Sequence, residues 1–320
     1  MSQPHIEPKF LVAATRYSNN EGGSMALHLL CHILNEMGSE AYVLPMPEGE
    51  IVSYPNSKTI ENVRDRQNSI WQTFSVSEDL NTPIFSGNTL DEDLVVIYPE
   101  VVHGNPFRVK NVARWLLYHT GFHRKEVCLS RGEVQFLWSK EYIAAEIEGF
   151  VELSNVILRV ESSPNDPHTA LSNELTLGHT ELHRNRTNVA YCVRKGNQLE
   201  HPLIDERAIN IDGRPREEVI NILRTSKYFI SFDPATFYSC IAAALGCFSV
   251  VVTDTDVEQQ GVTTRPWLTF ERKGFEPPNY EDAWRERRKL LDHFESFDVD
   301  ARKSVSEFIE FWRDRLNKKS

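Results

Sequence analysis

Long hydrophobic runs are missing from this chain of 320 residues. The longest apolar-rich stretch, from Cys240 to Val252, covers ~13 residues, short of the ~20 needed to span a bilayer. The opening segment, MSQPHIEPKF, lacks the apolar core of a secretory signal. Cysteine is sparse: the five residues (Cys31, Cys128, Cys192, Cys240, Cys247) are odd in number and scattered, and no CxxC occurs. The expected setting is the cytosol, with reduced and mostly structural thiols. Positive charge is also short, because 35 Lys and Arg against 46 Asp and Glu leave a net charge of −11. Strong generic attraction to nucleic acid or to an anionic membrane is therefore disfavoured, although a local basic patch is compatible with that balance.

Several chemical fingerprints are missing as well. Without GxGxxG a hydride-transfer enzyme is disfavoured. The loop Tyr17–Gly23 lacks the Lys-Ser/Thr of a P-loop, and the GxSxG elbow of serine hydrolases does not occur. Histidine pairs at i,i+4 spacing occur as His28/His32, His119/His123 and His179/His183, but none is HExxH, and Gly121 interrupts the second. No metal site is expected from them.

What is present is an ordinary globular composition, 40% hydrophobic and 25% charged. At ~100–200 residues per domain the length gives two domains or one large one. No internal repeat appears. Strand and helix patterns alternate instead. Residues 10–15 read as a buried strand, Arg16 to Gly23 as a polar loop, and Ser24 as the N-cap of a helix carrying Met25, Leu29, Leu30, Ile33, Leu34 and Met37. Gly38 ends that helix, and residues 41–44 form the next strand, so the segment is the seed of a parallel sheet. Further strands are expected at 94–98, 134–138, 156–160, 188–193, 227–232 and 248–252. Helices are expected from about Asn105 to His119, at 216–225 and at 236–245. Ser162 to Arg186 reads as loop-rich, and the tail from Tyr280 to Asn317 as two helical segments split near Asp298.

In doubly wound folds, ligands bind at the carboxyl ends of strands, where loops lead into helices. Four loops have that placement. The first is Tyr17–Gly23, whose Gly22 and Gly23 permit close backbone approach. The second is Ser231–Ser239, where Asp233 or Thr236 caps an apolar helix and Thr236 and Ser239 offer hydroxyls to a diphosphate. The third is Arg194-Lys195-Gly196, cations placed to neutralise a phosphate. The fourth is Tyr98–Pro106, where Glu100 and His103 are candidates for a general base and Asn105 shapes the loop.

A Gly-Gly loop after the first strand, paired with a second α/β segment reading "AYCVRKG" and then "REEVINILRTSKYFISFDPATFYSCIAAALGCFSVVV", resembles the GT-B class of nucleotide-sugar glycosyltransferases of bacterial surface-polysaccharide type. The segment "VVIYPEVVHGNPFRVKNVARWLLYHTG" resembles the first domain of such proteins. The resemblance covers most of residues 10–255 and is most specific at 218–252. It implies an α/β fold of two Rossmann-like doubly wound domains facing across a cleft, with C-terminal helices. It implies an acceptor-side domain over 1–155, a donor domain over 156–279 and a helical tail over 280–320. Arg194 and Lys195 would face the donor diphosphate, and Thr236, the Phe237 backbone and Ser239 would bind it. Asp233 stands near the first Glu of the Glu-x7-Glu pair that many relatives carry. Gly22 and Gly23 match the loop that meets donor or acceptor, with Asn20 and Asn105 on the acceptor side. No cofactor or tightly bound metal is implied, because helix dipole and basic side chains hold the diphosphate.

The sequence departs from that pattern in one place: the position seven residues after Tyr238 is Leu245, and the acidic pair does not exist. This puts a retaining mechanism in doubt and keeps open a catalytically degenerate binding protein of a polysaccharide assembly. A non-hydrolysing nucleotide-sugar epimerase on the same scaffold would need clustered acid/base residues that the sequence does not display. An enzyme that glycosylates DNA is disfavoured by the net charge of −11. The expected partners are a nucleotide-sugar donor and a glycan or lipid-linked acceptor, not nucleic acid. Peripheral docking at the inner face of the membrane fits a lipid-linked acceptor, but only the cluster Arg285, Arg287, Arg288 and Lys289 favours it.

Overall fold

The structure, a computed structural model, describes residues 6–46, 74–86, 93–118, 120, 129, 132–140, 152–160, 186–197, 200–234, 236–253, 269–272 and 280–318. In chain order its elements are β1 (Lys9–Ala14), α1 (Gly22–Glu36), β2 (Glu40–Pro45), β3 (Leu94–Pro99), β4 (Asn111–Leu116), β5 (Val134–Leu137), β6 (Glu152–Ile157), β7 (Asn188–Cys192), β8 (Ile209–Asn210), α2 (Arg216–Thr225), β9 (Ser226–Ser231), α3 (Tyr238–Ala244), β10 (Phe248–Thr253), β11 (Thr269–Arg272) and α4 (Tyr280–Lys318). They fall into two compact units, Met1–Ser162 with Phe297–Ser320, and Ser163–Ser296. Each unit has its own parallel sheet, so the fold is α/β with two Rossmann-like sheets.

The first sheet has six strands in the order β2-β1-β3-β4-β5-β6. Every pairing in it is parallel. Side chains alternate between its two faces. Phe10, Val12, Val95, Ile97, Ala113, Trp115 and Phe136 pack with α1 and with Ala301, Val305, Phe308 and Trp312 of α4. Leu11, Ala13, Val96, Tyr98 and Val112 form the opposite core with Val102 and Phe107. The second sheet, also parallel, runs β11-β10-β9-β7-β8. All seven residues of α3 are buried against it, as expected of a helix that is apolar all round.

Four expected elements differ from the structure, and β8 and β11 have no counterpart in the sequence expectation. The helix expected from about Asn105 to His119 is absent from the described residues 105–118: residues 105–110 are loop, and Asn111–Leu116 is the inner strand β4, buried on both faces. A short apolar run fits a helix period and a two-sided strand equally, and tertiary context decides. The helix α1 begins at Gly22 with Glu21 in the N-cap place, so Ser24 is not its cap. The tail is one helix of 39 residues with no break at Asp298. The strand expected at 156–160 is Glu152–Ile157. The segment 161–185, with most of the expected loop, lies outside the described residues.

The connection from β3 to β4 contains no helix, yet it must bury backbone. Arg114 of β4 makes that possible. Its side chain is fully buried, and its guanidinium donates to the carbonyls of Pro99 (3.3 Å), Val102 (2.6 Å) and Gly104 (2.6 Å). The same group makes a two-pronged ion pair with Glu133, at 3.2 and 2.9 Å. Further along, Asn105 clamps the loop by accepting from the Val109 amide and donating to its carbonyl. The Tyr98 hydroxyl donates to Asn105, and its ring stacks on Phe107.

Removing one member of a buried ion pair strands the other charge. Arg114→Ala is expected to lower unfolding stability by about 3–5 kcal/mol in urea titration. Arg114→Lys is expected to recover little, because a point cation cannot serve both the carboxylate and three carbonyls. A loss under about 1 kcal/mol, the size expected of a solvent-exposed pair, would show that Arg114 does not organise the loop.

Candidate functional site

Each sheet reverses its direction of growth once, and the reversal leaves a crevice at the carboxyl ends of two neighbouring strands. In the first unit the chain leaves β1 through α1 to β2 on one side, then returns to β3 on the other. In the second it goes from β7 to β8 on one side, then through α2 to β9 on the other. The loops after β1 and β3, and after β7 and β9, therefore flank the two crevices. These are the four loops singled out from the sequence.

In the second unit the two loops are in direct backbone contact. A Cβ built on Gly196 would stand 1.6 Å from the Phe232 carbonyl oxygen, so only glycine fits there. Arg194 and Lys195 precede that glycine and are exposed. Arg194 adopts φ 43°, a left-handed conformation that non-glycine residues seldom take. Its guanidinium lies 4.6 Å from the centre of the Tyr238 ring and 3.9 Å from Asp212. Asp212 also accepts the amides of Val193 (2.8 Å) and Arg194 (3.4 Å). On the facing loop, the Ser231 hydroxyl donates to the Asp233 carbonyl and accepts from the Asp233 amide. Asp233, Thr236 and Ser239 are buried, and the Ser239 hydroxyl finds no hydrogen-bond partner among the described residues. The N-cap place of α3 is Phe237, without a side-chain cap. One residue earlier, the Thr236 hydroxyl accepts the amide of Tyr238, the first residue of α3, at 3.4 Å, which is the capping contact expected of Thr236.

In the first unit the loop after β1 is tied to α1 by Ser24. Its hydroxyl accepts from the Ser18 amide (3.0 Å) and donates to the Arg16 carbonyl (2.9 Å). Asn20 is exposed at the tip of that loop, and Gly22 and Gly23 form the first turn of α1. A Cβ on Gly23 would reach Leu117, which follows β4. There the Glu100 carboxylate accepts the Leu117 amide at 3.1 Å. His103, whose backbone neighbours Arg114 holds, has a buried Nε2 with no hydrogen-bond partner among the described residues. Asn105 is occupied with building the loop.

His28 is fully buried beneath this loop. Its Nε2 lies 2.9 Å from the Thr15 carbonyl, its ring sits between Tyr17 and Phe74, and its Nδ1 has no partner among the described residues. Burial pushes its pKa below the ordinary value of 6.5, opposed in part by the bond to Thr15. His32 accepts the Asn81 amide instead. The other two histidine pairs fall wholly outside the described residues.

Sequence reasoning missed Arg114, Asp212 and Tyr238. A lone arginine inside an apolar run, and Asp-Gly just after a strand, are the local signs that could have pointed to the first two. No protein-family model matches the chain, and no curated protein matches its sequence. Among solved structures, the chain is similar to spinosyn forosaminyltransferase SpnP, with 12% identity, 98% of this chain and 99% of that one covered, and a TM-score of 0.36. It is also similar to T4 phage BGT in complex with its UDP-glucose substrate, with 9% identity, 97% and 98% covered, and a TM-score of 0.33.

Two outcomes follow from this geometry. Gly196→Ala forces the loops apart and is expected to cost on the order of 2 kcal/mol in thermal or urea unfolding. An unchanged midpoint would mean that the contact with Phe232 is not maintained in solution. For His28 the folded-state pKa is depressed, so the unfolded chain takes up the proton first. The contribution is complete above pH 6.5 and is lost as pH falls below it. His28→Phe is expected to flatten the fall in urea midpoint between neutral and acid pH; parallel curves for the two proteins would refute the assignment.

Proposed function

We propose that the chain is a glycosyltransferase that moves a sugar from a nucleoside-diphosphate sugar to a hydroxyl of a glycan or lipid-linked acceptor in polysaccharide biosynthesis. One observation carries the reading. Arg194 and Lys195 stand at the carboxyl end of β7, at the strand-order reversal, against a loop with buried hydroxyls and a carboxylate. Such a crevice suits a diphosphate, whose charge grows as it leaves the sugar. In this reading Arg194 and Lys195 stabilise that charge, Thr236 and Ser239 with the Phe237 backbone contact the phosphates, and Asp233 meets the sugar. These cations do the work that a metal does elsewhere, and no cofactor is needed.

Transfer with inversion needs a base for the acceptor hydroxyl. His103 is the better candidate, because its Nε2 has no hydrogen-bond partner among the described residues, whereas Glu100 holds the Leu117 amide. Gly22, Gly23, Asn20 and Asn105 belong to the acceptor side. No helix among the described residues is long and apolar enough to cross a membrane, so a lipid-linked acceptor would be met from its polar end. The second reading is a degenerate binding protein, and it is favoured by Leu245, fully buried where the acidic pair would have to fall.

Thermal unfolding against UDP, GDP, dTDP, ADP, CDP and CMP, each with and without magnesium, tests the first reading. A ligand at 100 times its Kd adds about 2.7 kcal/mol. One selective shift is expected, without need of magnesium, and about tenfold weaker in Lys195→Ala. No shift at millimolar ligand would reject the donor site. A shift with no turnover of any sugar nucleotide would favour the binding protein.

A further inference from the structure

We infer that Asp212 is the positioning residue for the anion-binding cation Arg194; the inference rests on the donor-site reading above. The carboxylate reaches across from the turn after β8 and does three things at once. Its Oδ2 accepts the amides of Val193 and Arg194, at 2.8 and 3.4 Å. Its Oδ1 lies 3.9 Å from the Arg194 Nε and has no hydrogen-bond partner among the described residues. Its own amide is fixed by Asn210, at 2.6 Å, and the next residue, Gly213, turns the chain at φ 73°.

The consequence lies in the backbone of Arg194. A left-handed non-glycine residue persists only where its surroundings hold it. The amides of Val193 and Arg194, which lead into that conformation from its N-terminal side, both point at Asp212. Held so, the guanidinium is set over the Tyr238 ring at 4.6 Å. Neither of its contacts is strong. A cation–π contact and an ion contact of 3.9 Å between half-exposed groups leave its N–H donors without hydrogen bonds among the described residues. An arriving phosphate therefore displaces no strong interaction. The acidic residue acts as an aiming device for the cation, although a carboxylate beside an anion site opposes binding by charge alone.

That opposition gives the test its sign. Binding of inorganic pyrophosphate and of UDP is measured by calorimetry at fixed ionic strength, for the full-length wild type, D212A, D212N, R194A and the double variant. If Asp212 were only a nearby negative charge, both D212A and D212N would bind more tightly. Positioning demands that D212A bind about tenfold more weakly. Asn still offers an oxygen to the two amides, so D212N is expected to match or exceed wild type. In the R194A background D212A is expected to cause no further loss, because only the charge repulsion is left to remove. Equal or tighter binding by D212A, or simple additivity with R194A, would overturn the inference while leaving the donor site intact. If D212A does not fold, D212S takes its place, because its hydroxyl is too short to hold the two amides: binding about tenfold weaker than D212N supports the inference, and binding equal to D212N overturns it. Failure of the wild type to bind either probe removes the donor-site reading and the inference with it.

Discussion

A side chain at position 196 would collide with the carbonyl of Phe232, so two loops of the second unit can meet only because that residue is glycine. The rest of the candidate donor site follows from this approach. Parallel pairing of β7 with β9 brings both loops to the same edge of the sheet. The glycine lets them close, and Arg194, two residues before it, is set over the ring of Tyr238 at the start of α3. The amide of Phe232 donates to the Cys192 carbonyl at 3.0 Å, which extends the pairing one step past the strand ends. The strand-order reversal thus makes the crevice, and a missing Cβ sets how narrow it is.

The first unit meets the same problem with charge. Its β3–β4 connection has no helix to satisfy its carbonyls, and the buried pair of Arg114 with Glu133 supplies the donors. The two units share a pattern here. Each crevice has a loop fixed by a charged side chain from a neighbouring strand or turn, Arg114 in one and Asp212 in the other. Each also has a loop with an arginine in the left-handed region, Arg108 at φ 50° and Arg194 at φ 43°. Both loops flank the crevices at the strand-order reversals.

Local pattern alone was enough for β1, α1 and β2, for β7, β9 and β10 of the second sheet and for the buried character of α3. These elements have clear periods, and most are bounded by turn residues. It failed where the information is not local. Residues 111–116 carry apolar side chains for both faces of a sheet, which a short window cannot separate from a helix. Ser24 looks like a cap but spends its hydroxyl on Ser18 and Arg16. The placement of Arg194, Lys195 and 233–239 at strand ends was readable because strand ends are. The partners that hold them were not: Asp212 lies 18 or 19 residues from the amides it accepts, and Glu133 lies 19 from Arg114. Such contacts are set by strand order, and one sequence does not display strand order.

The most direct measurement is a crystal structure of the protein with the nucleoside diphosphate that binds it best. The diphosphate is expected at the carboxyl ends of β7 and β9, within hydrogen-bonding distance of Arg194 or Lys195. Ordered nucleotide anywhere else on the chain, with that crevice holding only solvent, would contradict the donor-site reading.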